Sequence, residues 1–216
     1  MNKQYYEKIF SNQRMQKYFQ CYPGNEQKAI LHYQINIEVS ESFYPVLSML
    51  EVALRNSLNR ELIEFFGTED WYLQIGSTTG SRNLNNVINT AKRQIAKRNE
   101  TLAASKIIAE LTLGFWVKLL NAEYERILWK PLRNAFPYLE KSLRQRRIVS
   151  APINKIRSFR NRVFHHEPIC WNLNELERTH QEILNVMGWL NIDLPNVAIE
   201  VDRVTDVIKR AKEKLS

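Results

Sequence analysis

Glycine and proline are scarce, six and seven residues in a chain of 216. β-Sandwiches and the glycine loops that cradle nucleotide phosphates depend on those residues, so the deficit argues for helices. Two cysteines, Cys21 and Cys170, are too few for a disulfide framework. Uncharged stretches such as Trp71 to Ser81 and Ile183 to Ile192 fall short of the roughly 18 residues that a membrane span needs, so no membrane association is expected. The opening MNKQYYEKIF has no apolar core of the kind a secretory leader carries. A reducing cytoplasm is the expected compartment.

What is present fits a globular chain, with 44% hydrophobic and 25% charged residues. Apolar residues recur at helical spacing throughout, which predicts an all-α multi-helix bundle. Residues 1–191 are expected to form a single helical domain, and 192–216 a C-terminal helical extension with no role assigned. Helices are predicted from Ser11 to Gln20, from an Asn25 cap to Val39, and from a cap at Ser40 or Ser42 to Gly67, with Pro45 in the first turn of the third. Trp71 to Gly80 reads as a loop. Leu84 to Ile95 reads as a helix, and Ala103 to Leu120 as a buried one interrupted near Gly114. Further helices are expected over Pro152–His165, from Asn172 or Asn174 to Leu190, and from an Asp202 cap to Lys214.

The net charge of +8 is concentrated. Lys141 to Arg162 holds eight basic residues and no acidic one, while the rest of the chain carries equal numbers of each sign. Six of the eight are arginines, suited to bidentate contacts with phosphate, which makes RNA the natural partner. Arg144, Arg146, Arg147, Lys155, Arg157 and Arg162 are the candidate RNA-binding residues. The competing reading is a solvated face neutralised by acidic residues elsewhere in the fold.

Within this segment, Pro152 to Pro168 reads PINKIRSFRNRVFHHEP. At about 100° per residue, Ile153 and Arg160 fall roughly 60° and 40° to one side of Ile156, and Val163 roughly 20° to the other. Arg160 therefore lies in the apolar stripe, where a guanidinium must be paired or serve a ligand. Glu51 and Glu61 are its candidate structural partners. His165 lies about 140° further round, so Arg160 and His165 need the reach of arginine, a frayed helix end or a second copy of the chain to converge. Asn161, four residues before His165, shares its face and could orient the imidazole. Pro168 should stop the helix near His165 or His166.

Histidine transfers protons near neutral pH, arginine stabilises a developing phosphorane charge, and RNA supplies the 2′-OH nucleophile. Those groups suffice for metal-independent cleavage, with no cofactor expected. His165, His166, Glu167 and Cys170 also cluster, but HExxC lacks the last ligand of HExxH. His32 and His180 read as packing or capping histidines, and both cysteines as structural thiols.

RNRVFHHEP, at Arg160 to Pro168, resembles the R-(N/D/H)-x3-H signature of HEPN domains, and specifically the RN-x3-HHEP form of the Abi-like family of bacterial abortive-infection proteins. LEVALRN at Leu50 to Asn56, LTLGFWVKLL at Leu111 to Leu120 and YERILW at Tyr124 to Trp129 agree with that family in content and order. The resemblance implies an all-α HEPN bundle, often a homodimer with a shared cleft. It also implies a metal-independent endoribonuclease of a phage-defence or toxin system, controlled by an antitoxin or a phage-derived regulator. Arg160 and His165 would be the catalytic pair, Asn161 the polar residue after the arginine, and His166 part of the family's extension. The alternative is a non-catalytic HEPN module that binds RNA or a protein.

Overall fold

Side-chain caps and glycines set several of the helix boundaries in the computed structural model, which describes residues 2–216. Asn2 accepts the Tyr5 N–H and starts α1 (Lys3–Phe10), a helix the sequence pattern did not predict. Ser11 begins α2 (Asn12–Cys21), and Asn25 accepts the Lys28 N–H at 3.0 Å to begin α3 (Glu26–Ser42). The boundary with α4 (Tyr44–Phe66) differs from the expected serine cap. Ser42 is the last residue of α3 and its hydroxyl donates back to Val39 O at 2.7 Å, so it has no capping role. Fully buried Phe43 makes the break instead, and Gly67, at φ 69°, ends α4 as expected.

The expected loop from Trp71 to Gly80 is helical: a 3-10 turn at Trp71–Leu73, then α5 (Ile75–Thr79). Burial decides this, because Trp71 and Ile75 are wholly enclosed and the Trp71 indole donates to Asn59 Oδ1 at 2.8 Å. A Cβ at Gly76 would lie 1.9 Å from the Asn85 side chain, so glycine is needed there for close packing against α6 (Arg82–Lys97) rather than for a turn. The anticipated interruption near Gly114 falls instead at Leu111–Thr112, between α7 (Ala104–Glu110) and α8 (Leu113–Lys118). There the Trp116 indole ties back to Leu111 O at 3.1 Å. Short 3-10 and π turns lead through α9 (Lys130–Leu132) towards α10 (Arg146–Phe164).

Helix α10 starts six residues before the expected Pro152. Val149 and Ser150 are buried, and Arg146 is anchored to Glu125 at 2.8 Å, which holds the extra turns ahead of the proline. After it come α11 (Leu173–Leu190), capped by Asn172, then α12 (Leu194–Ile199) and α13 (Val204–Leu215). No strand occurs among the described residues, and no helix there is long and apolar enough to cross a membrane.

The main core gathers around α4, with Leu54, Leu58 and Leu62 fully enclosed beside Trp71, Trp116 and Phe136. Helices α8, α10 and α11 pack around it. A second, aromatic-rich cluster of Tyr6, Met15, Tyr18, Phe19 and Tyr33 joins α1 and α2 to α3. Residues 192–216 belong to the main core: Val204 and Ile208 are fully buried, and α13 packs on α3 and α11. The Asp202 carboxylate fastens this segment, accepting from His180 Nε2 at 2.5 Å and from the Val204 N–H at 2.9 Å.

Candidate functional site

The apolar stripe of α10 (Ile153, Ile156, Phe159 and Val163) turns Arg160 towards α4. Its Nη2 lies 3.2 Å from Glu51 Oε2, while Glu51 Oε1 accepts the Leu113 N–H at the start of α8, also at 3.2 Å. Of the two candidate partners, Glu51 holds Arg160; Glu61 is hydrogen-bonded by Asn134, and burial raises its carboxyl pKa. The guanidinium carbon sits 4.1 Å from the centre of the Phe164 ring, a cation–π contact. Arg160 Nε is buried without a partner. With both side chains about a quarter exposed, the pair lies between the surface and buried regimes. Glu51→Gln, which keeps an acceptor for Leu113, should therefore lower stability by only about 1 kcal/mol in urea unfolding. A loss several times larger would show that the charge pair is a main support of the bundle.

The end of α10 presents the histidines. His165 leaves helical geometry at φ −89°, ψ 9°, and His166 adopts the left-handed φ of 57°. His166 N–H donates to Val163 O and Glu167 N–H to Arg162 O, at 3.0 and 2.9 Å, satisfying carbonyls that the helix end would leave open. Both imidazoles are exposed, and among the described residues neither has a hydrogen-bond partner. Asn161 does not orient His165 through its side chain; its backbone carbonyl accepts the His165 N–H at 2.8 Å. The helix terminates there, so the i,i+4 face that would align the two side chains is not continued. No hydrogen bond joins Arg160 to His165, and the angular separation between them is not closed within one chain.

The turn after the histidines is held from across the molecule. Arg14 Nη1 donates to His166 O at 2.6 Å. Asn36 donates to Glu167 O at 3.4 Å, and its Oδ1 accepts the N–H groups of Ile169 and Cys170 at 2.7 and 3.2 Å. His32 Nε2 lies 3.1 Å from Cys170 O, with Tyr22 Oη 3.2 Å from its other ring nitrogen. Arg162 donates to Pro168 O at 2.7 Å. The sequence pattern flagged neither Arg14 nor Asn36 and read His32 as a packing or capping residue. The available signal was a histidine and an asparagine at positions 32 and 36, among the mainly apolar residues of the buried face of α3.

Burial lowers the His32 pKa below its ordinary value. A depressed histidine pKa means that the unfolded chain binds the proton more readily, so this contribution to stability is present above pH 6.5 or so and is lost on acidification below it. Wild type should melt at a lower temperature at pH 5.5 than at pH 7.5, and His32→Gln should show a smaller difference. Burial also pushes the Cys170 thiol up to about 12, which suits an inert core cysteine. No three His, Cys, Asp or Glu side chains among the described residues are grouped to hold a metal ion, and the HExxC cluster is split by the inward turn of Cys170.

Much of the basic segment is engaged within the fold. Arg144 donates to the carbonyls of Leu139 and Pro137, at 2.7 and 2.5 Å. Arg146 pairs with Glu125, and Lys155 lies 3.3 and 3.2 Å from Glu175 and Glu182. Arg162 contacts Glu167 at 3.4 Å. Arg147 and Arg157 have no carboxylate partner among the described residues. The second basic face, on α6, is partly spent too, with Arg98 bound to Glu100 and Glu110.

A cavity of about 560 Å³ opens beside this turn, bordered by Phe164 at the end of α10, by His166 in the turn after it, and by Arg14, Asn36 and Tyr44 on other helices. His165 does not line it. No protein-family model, curated protein or solved structure matches the chain.

Proposed function

We propose that this protein is a HEPN-type, metal-independent endoribonuclease of an abortive-infection or toxin system. The observation that carries the reading is a pair of exposed imidazoles on a clamped turn, one helical turn beyond an arginine fixed in orientation by Glu51 and Phe164. In the reaction, the 2′-oxygen of RNA attacks the adjacent phosphorus while the phosphorus–5′-oxygen bond breaks. His165 takes the 2′-hydroxyl proton or supplies one to the leaving 5′-oxygen, with His166 available for the other transfer. Arg160 stabilises the charge that builds on the non-bridging oxygens. Arg147 and Arg157, free of carboxylate partners, offer phosphate contacts that cost no internal ion pair. Because Arg160 faces α4 and His165 faces solvent, the site is completed between two copies, and light scattering should report a homodimer.

One observation favours a second reading. The Arg160–Glu51 pair is also what a structural arginine would make, as in a non-catalytic RNA- or protein-binding module. Purified wild-type and His165→Ala protein, incubated with total RNA in EDTA, separate the two. Cleavage by wild type alone, leaving 2′,3′-cyclic phosphate ends, supports the nuclease. RNA binding without cleavage by either protein supports the module.

A further inference from the structure

The cavity beside His166 has features that the cleavage chemistry does not use. Two aromatic pairs border it: Phe10 with Tyr33, ring centres 5.2 Å apart, and Tyr44 with Phe164, 5.5 Å apart. Tyr44 and Phe10 are 56% and 38% exposed, so each has ring surface left for a ligand. Ser40, also in the lining, has a hydroxyl closed off from solvent and lacking any hydrogen-bond partner. An orphaned polar atom of that kind is rare in folded proteins and is relieved when a ligand supplies its partner.

The mouth is cationic. A smaller cavity of about 300 Å³ shares Arg14 and His166 with the first and adds Lys17, which has no carboxylate partner among the described residues. Arg14 spends one nitrogen on His166 O and retains further donors. The carboxylates facing the same region are already compensated: Glu41 lies 3.0 Å from Arg203, and Glu167 3.4 Å from Arg162. Flat aromatic walls, one unmet hydrogen-bonding group and an uncompensated positive mouth fit a planar heteroaromatic body attached to an anionic link. An aliphatic peptide side chain would use the walls alone.

We propose that this cavity is a nucleobase subsite that holds the base next to the scissile phosphate and so sets which nucleotide is cut. The inference rests on the RNA-cleavage reading. Phe164 connects the two, because its ring carries the Arg160 guanidinium and also lines the cavity. A base stacked on the exposed Tyr44 ring therefore lies one ring away from the guanidinium assigned to the phosphate. Volume is adequate, since small-molecule sites span about 300–1,000 Å³.

The test uses non-cleavable 2′-O-methyl tetranucleotides of A, C, G and U and an abasic tetranucleotide of equal charge, titrated against the full chain in EDTA. Base–aromatic stacking predicts about a tenfold spread between the best and worst bases, with the abasic probe no better than the worst. Tyr44→Ala should weaken the best probe about tenfold and leave the abasic one unchanged. Ser40→Ala should narrow the spread, with the circular dichroism of both variants unaltered. Equal binding of all five probes overturns the proposal, as does a base preference that persists in both variants. Binding of an amphipathic peptide in place of every oligonucleotide also overturns it, in favour of a protein-docking groove. Cleavage of unmodified RNA is scored in parallel: cutting without base discrimination retains the nuclease and rejects the subsite, whereas discrimination without cutting rejects the nuclease and with it the role in choosing the cut, leaving a base-binding cavity of a non-catalytic module.

Discussion

Replacing His165 with alanine should reduce RNA cleavage by about 10²- to 10⁴-fold, the usual range for removing a general acid or base. The melting temperature should stay within about 2 °C of wild type. The two halves of this expectation have separate physical grounds. His165 is exposed, follows the last helical residue, and makes no side-chain hydrogen bond among the described residues, so its truncation empties no core space and orphans no buried group. Exposed substitutions of that kind change stability by no more than about 0.5 kcal/mol. The position is therefore a cleaner probe of chemistry than Arg160, whose removal also leaves Glu51 without its cation. Cleavage retained within threefold would remove His165 from the mechanism. A large fall in melting temperature would instead assign it a structural role.

The largest effect on stability is expected at Asn36, which is 4% exposed. Asn36→Leu deletes the acceptor for the Ile169 and Cys170 N–H groups and the donor to Glu167 O. Both of those residues are buried, so water cannot readily replace the lost partner. An unmet buried hydrogen-bonding group costs about 1–3 kcal/mol, and partial relaxation of the turn brings the total to about 2–4 kcal/mol. For a chain of this size that corresponds to a melting temperature lower by about 5–15 °C. Asn36→Asp keeps the oxygen acceptor and should lose less. Cleavage should fall in Asn36→Leu as well, because the turn that presents His165 and His166 loses its attachment to α3. A melting temperature within 1 °C of wild type would show that Arg14 and His32 hold the turn without Asn36.

Expectation and structure agree most closely where the determining interactions are local. The Asn25 and Asn172 caps and the Gly67 stop each act within one helical turn; Asn25 and Gly67 stand where the sequence places them, and Asn172 is one of the two caps it offered. The apolar period of Ile153, Ile156 and Val163 is also local, and it put Arg160 on a buried stripe, with Glu51 among its possible partners, without any knowledge of the fold. Departures occur where burial outweighed local signals. Trp71 and Ile75 pulled a glycine-containing stretch into helix, and the Arg146–Glu125 pair carried α10 past Pro152.

Composition, helical period and capping chemistry thus determined an all-α chain, a concentrated positive charge, and an arginine and two histidines at one helix end. Tertiary structure alone decided how that end is used. Asn36 and His32 lie more than 130 residues from the turn they grip, and no periodicity links such positions. Ion-pair partners likewise depended on the packing of α10 and α11, which set Lys155 against Glu175 and Glu182 and left Arg147 and Arg157 without carboxylate partners among the described residues. The aromatic cavity exists only because α1, α3 and α4 meet the end of α10. Charge and periodicity are properties of the chain, whereas a clamp or a cavity needs distant segments to meet, and only the packed core brings them together.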